Sequence, residues 1–121
     1  LTRFEYGEAF GSFLEAFVAA ELLRQRAWST ERYDVYHWRD RDADEVDIVL
    51  ELGDGRVIGI EVKSATSFNA KQFKGLRKLR DQLGEKFVAG IVLNTATTGY
   101  RLADRLYGAP VSALWEFGIR Q

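Results

Sequence analysis

"EVDIVLELGDGRVIGIEVKS", residues 45–64, holds two apolar runs, "VDIVLEL" and "RVIGIEV", on either side of "GDG". An Asp-Gly pair supplies the positive φ angles of a tight turn, so the two runs read as an antiparallel hairpin. Strands that should be burying valine and isoleucine nevertheless carry Asp47, Glu61 and Lys63. Side chains alternate along a strand, so Glu61 and Lys63 point to one side while Val62 points to the other. If the turn pairs the strands closely, Asp47 lies near Glu61, and two carboxylates and an amine converge at one end of a sheet. Buried like charges are costly unless a cation lies between them or protons sit on them.

A divalent, oxygen-preferring metal meets that demand, with Asp47 and Glu61 as carboxylate ligands and the Val62 carbonyl as a third donor. Lys63 would orient or help deprotonate a water, or stabilise developing negative charge, a set that suits phosphodiester hydrolysis. Taken alone, Glu-x-Lys is an ordinary solvated pair. The combination with Asp47 one hairpin upstream, and a glutamate on the preceding helix, gives it meaning.

That helix is expected from Gly7 to about Ala27, where Phe10, Phe13, Leu14, Phe17, Val18 and Leu22 recur at three- and four-residue spacing. Glu15 sits at the margin of this stripe beside Gly11, Ala19 and Leu22. Glu21 falls nearer its middle, as a second inward acid or as an ion-pair partner for Arg39 or Arg41. "DVYHWR", residues 34–39, reads as a first strand and "DRDAD" as a turn. Phe73, Leu76, Leu79 and Leu83 predict a second amphipathic helix over 69–83, and "KFVAGIVLN" a strand buried on both faces. "TATTGYRLADRLYGAP" reads as a loop with a short helix, and "VSALWEF" as a closing strand or helical turn. The order of elements implies an α/β fold, a mixed central β-sheet flanked by α-helices.

The helical acid, the strand Asp and the Glu-x-Lys of the next strand together resemble the PD-(D/E)XK nuclease superfamily. More narrowly, "GSFLEAFVAAEL", "YHWRDRDADEVDIVLE" and "GIEVKSA" look like the domain of unknown function found C-terminal to the ATPase core in many prokaryotic AAA-type ATPases. The resemblance covers 11–67 and implies a restriction-endonuclease-like fold. It makes Asp47 and Glu61 metal ligands, Lys63 the catalytic lysine, and Glu15 a helical acid that assists the metal. Mg²⁺ or Mn²⁺ would be the cofactor, DNA the substrate, and the ATPase core of a parent chain the partner. Val46 precedes Asp47 where the superfamily pattern has proline. Some members keep the fold without the chemistry, so a module that binds nucleic acid or a protein partner is the alternative.

The length of 121 residues suits one domain, 1–121, and the net charge of -1 leaves nucleic-acid binding to local basic patches. Lys71, Lys74, Lys78, Arg80, Arg101 and Arg105 are such positions, or else a solvated surface. The single histidine, His37, reads as a packed residue before a catalytic base. Gln72 falls where some nucleases place a glutamine against the catalytic lysine. Without cysteine there is no disulfide or thiolate metal site. No membrane-length apolar run or signal peptide is present, so a cytoplasmic location is expected. The absence of methionine and the opening Leu1 suggest a piece of a longer chain. The oligomeric state is open, a homodimer included.

Overall fold

The computed structural model describes residues 2–3, 13–26 and 32–114; for 2–3 and 13–17 this means the backbone alone. In chain order the elements are β1 (Thr2–Arg3), α1 (Phe13–Arg26), β2 (Tyr33–Arg39), β3 (Glu45–Leu52), β4 (Val57–Val62), a 3₁₀ turn (Ala70–Phe73) leading into α2 (Lys74–Leu83), β5 (Phe87–Asn94), β6 (Tyr100–Ala103) and β7 (Leu106–Pro110). The strands form one mixed sheet in the order β1-β2-β3-β4-β5-β7-β6. This is the expected α/β architecture, a mixed central sheet flanked by helices.

The decisive hairpin forms as an antiparallel pair. Its turn is closed by Gly55 N–H donating to the Leu52 carbonyl at 2.9 Å, and the positive φ falls on Gly55 alone, at 88°. Asp54 keeps a negative φ and accepts the Arg56 N–H instead, so this is a longer turn with one left-handed glycine. From β4 the chain crosses through α2 to β5, which runs parallel to β4, and β7 is parallel to β5.

One core lies on each face. On the α1 side Val18, Ala19 and Leu22 pack with Val35, Ile48, Leu50, Ile60, Val62 and Leu93. On the α2 side Phe73, Leu76 and Leu79 pack with Trp38, Val46, Val49, Val92 and Leu106. α2 approaches closely because Gly75 has no side chain: a Cβ there would sit 2.0 Å from the Glu45 carbonyl oxygen.

One expectation needs correction. "RLADRLYG" is a β6–β7 hairpin rather than a short helix, with Asp104-Arg105 as its turn and Arg105 at a φ of 58°. Leu102 and Leu106, four residues apart, mimic helical spacing, yet both pack toward the α2 side across the turn. The predicted first helix begins at Phe13 among the described residues; 7–12 and Ala27 lie outside them, as does most of "VSALWEF". No helix among the described residues is long and apolar enough to cross a membrane.

Candidate carboxylate site

β2 and β3 pair regularly except at one point. Tyr36 faces Val49 and Trp38 faces Val46, so His37 alone opposes both Asp47 and Ile48. This is a β-bulge in β3, and its extra residue resets the alternation: Val46 and Val49 both reach the α2 core while Ile48 reaches the α1 core. Asp47 is the residue the bulge re-aims. On the other side, the register of β3 with β4 ends at Ile48↔Ile60.

Beyond that point side chains take over the bonding. Glu61 Oε1 accepts the Asp47 N–H at 2.7 Å, and Asp47 Oδ2 accepts the Val62 N–H at 2.9 Å. Both acids are buried, Asp47 at 9% and Glu61 at 5% exposure. Lys63 Nζ lies 3.3 Å from Glu61 Oε2, with its side chain 42% exposed. Burial and the neighbouring Asp47 charge push the Glu61 carboxyl up to about 8, against the pull of Lys63. The expected convergence of Asp47, Glu61 and Lys63 is present. Glu15 lies in α1, with its side chain outside the described part.

The loop leaving Lys63 is firmly held. Lys63 N–H donates to the Leu93 carbonyl, and Thr95 N–H to that of Ala65. Asn94, fully buried, donates from Nδ2 to the Ser67 carbonyl and accepts the Ala96 N–H. A polar residue ending the apolar run "GIVLN" was the available signal for this anchor. Gln72 bonds within its own loop instead of to Lys63: its Nε2 donates to the Ser67 carbonyl and its Oε1 accepts the Asn69 N–H. His37 is half-buried with Nδ1 3.3 Å from the Asp47 carbonyl, a packing position that supports the bulge.

Several charges are committed elsewhere. Glu21 pairs with Arg24, one turn on, rather than with Arg39 or Arg41, and Arg24 holds its carboxyl below the usual range. Lys78 is gripped by Asp40 and Asp42 at 2.9 and 3.1 Å and by Asp44, and Lys74 lies 3.3 Å from Asp44. These three aspartates are close enough to hold a metal, but the Lys78 ammonium already supplies the cation. Arg105 donates to the Gly84 and Phe87 carbonyls, and Arg80 to that of Asp104. Lys71 and Arg101 are exposed and, among the described residues, make no ion pair. A cleft lined by Arg26, Tyr33, Asp34 and Gly53 opens at the far end of the hairpin, away from Asp47.

Fold and site thus define a mixed α/β domain with a buried carboxylate pair and a lysine at the splayed end of its central hairpin. Residues 10–114 match the family described as "Domain of unknown function (DUF4143)", and the chain belongs to that family. A comparison with curated proteins gave no match.

Proposed function

We propose that the domain is a metal-dependent nuclease-like unit, hydrolysing DNA phosphodiesters with Mg²⁺ or Mn²⁺ and working with an AAA-type ATPase core. The supporting observation is the buried Asp47–Glu61 pair with Lys63 3.3 Å from Glu61. The donor set fits a hard divalent ion: two carboxylates on adjacent strands, one with its acidity so weakened that without a cation it holds a proton near neutral pH. Asp47, Glu61 and the Val62 carbonyl would hold the ion, assisted by Glu15.

When bound, the metal would polarise the phosphate and acidify a water. Lys63 keeps the Glu61 carboxylate oriented and presents an ammonium at the mouth of the site, where negative charge develops on the phosphate oxygens. The bulge at Asp47 and the crosswise amide bonds fix both carboxylates before substrate arrives, so little reorganisation remains. The test is cleavage of duplex, single-stranded and branched DNA in Mn²⁺ by the wild type, Asp47→Ala and Lys63→Ala. Cutting that both substitutions abolish supports the reading; a wild type that cuts none of the substrates overturns it.

A second reading has its own observation. Each carboxylate already satisfies a backbone N–H that the splayed strands would leave orphaned, so the pair also works as a structural staple. On that reading the domain keeps the fold as a module that recruits nucleic acid or a protein partner to the ATPase. Lys63→Ala would then leave partner binding intact.

A further inference from the structure

At the same sheet end as Glu61 and Lys63, three strands away, lies a second feature that the hydrolytic reading does not use. β4, β5 and β7 are parallel, and β6 returns antiparallel from β7, so Tyr100 at the start of β6 stands level with Gly108 toward the carboxyl ends of the parallel strands. Tyr100 stacks on Phe68, with ring centroids 5.4 Å apart and planes within 7°, and meets Phe73 at 6.4 Å. Phe68 is seated over Gly108, where a Cβ would fall 2.4 Å from its ring, so the glycine makes room for the stack. Phe68 also ends the loop that Asn94 and Gln72 clamp through the Ser67 carbonyl. Phe73 is wholly buried, yet Tyr100 stays 41% exposed.

A rigidly mounted, exposed aromatic ring offers a stacking face, and the charge beside it indicates an occupant. On the Tyr100 face of the sheet Lys71, two residues before Phe73, is exposed and, among the described residues, free of ion pairs, whereas Arg101 stands opposite Tyr107 and turns to the other face. Lys74 and Lys78, on α2, are held by aspartates of the β2–β3 turn. Three strand spacings of about 4.8 Å put β6 roughly 14 Å from β4. That matches roughly four nucleotides at the rise of about 3.4 Å of a stacked strand.

We propose that Tyr100, mounted on Phe68, is a stacking platform for a nucleobase of a single-stranded nucleic acid whose backbone runs past Lys71 toward Lys63. This deepens the nuclease reading and rests on it for the direction of the strand. Stacking serves every base, so the platform confers strand form rather than sequence preference. It selects unpaired over duplex segments, because a base inside a duplex has no free face.

The test is fluorescence anisotropy of a labelled single-stranded oligodeoxynucleotide, with and without its bases, in EDTA at low salt. Wild type is compared with Tyr100→Phe and Tyr100→Leu, the leucine keeping apolar cover over Phe73 so that folding survives. Tyr100→Leu is expected to weaken binding of the intact strand by roughly tenfold or more and leave the abasic strand unchanged, with Tyr100→Phe close to wild type. Equal binding by Tyr100→Leu and wild type, an equal loss on the abasic strand, or no binding by wild type would each overturn the proposal. Cleavage in Mn²⁺, run in parallel, separates the two ideas. Cutting with unchanged Tyr100→Leu binding leaves the nuclease reading standing without the platform; base-dependent binding without cutting does the reverse.

Discussion

Asp47 and Glu61 are bound crosswise: the carboxylate of Glu61 accepts the N–H of Asp47, and the carboxylate of Asp47 accepts the N–H of Val62, the residue after Glu61. Two acids that repel each other thereby bridge the gap where the β3–β4 ladder stops at Ile48↔Ile60. Their placement serves the fold and loads the site at once.

That double role separates two substitutions. Asp47→Asn keeps an acceptor for the Val62 N–H and removes a charge, whereas Asp47→Ala leaves a buried N–H unpaired. The alanine variant is expected to be less stable than the asparagine variant by about 1–3 kcal/mol in urea denaturation. Equal stability would mean that the bond carries no weight.

The Glu61 carboxyl binds its proton more tightly in the folded chain, with a value raised from 4.5 to about 8. Its stabilising contribution is therefore in place below 4.5 and is lost as pH rises toward about 8. The metal-free protein is expected to melt at progressively lower temperature across that window and to level off above it. Glu61→Gln should flatten this slope. A wild-type melting temperature that rises from pH 5 to 8 would count against the buried, proton-holding carboxyl.

Lys78 ties α2 to the β2–β3 turn through Asp40, Asp42 and Asp44, and holds the Asp40 and Asp44 carboxyls below their usual range. Lowered values in the folded state mean that this contribution is present above the ordinary carboxylate range and lost as pH falls through the folded values. Lys78→Gln should lower the melting temperature by a few degrees at neutral pH and low salt. The difference should shrink in high salt, as expected of partly exposed charges.

Gly75 sets the depth at which α2 seats on β3. Gly75→Ala would drive a Cβ into the Glu45 carbonyl oxygen, so α2 must shift, at a cost of roughly 1–3 kcal/mol or more in urea denaturation. A neutral outcome would show that α2 slides freely over the strand that carries Asp47.

Much of this was legible because it is local. The hairpin and the alternation around Glu61 and Lys63 sufficed to bring Asp47 near Glu61, although the turn is longer than the Asp-Gly pair implies and shifts the register by one residue. The bulge opposite His37 was not legible: it depends on which residues of β2 lie across from β3. The β6–β7 hairpin was not legible because the left-handed position of its turn is filled by Arg105, with no glycine to mark it. The ties of Lys78 to three aspartates, Glu21 to Arg24 and Gln72 to Ser67 are choices of partner that amphipathic spacing leaves open. The Phe68–Tyr100 stack joins residues 32 apart in sequence and carries no motif.

The most direct measurement is calorimetric titration of Mn²⁺ into wild type, Asp47→Asn and Glu61→Gln at a pH above that of the Glu61 carboxyl. Saturable binding by the wild type, weakened at least tenfold in each variant, is the expected result; repeated near pH 7, where Glu61 holds a proton, wild-type binding should release it. Mn²⁺ binding of equal strength in all three proteins, or none in the wild type, would remove the metal from this site and leave Asp47 and Glu61 as a staple between strands.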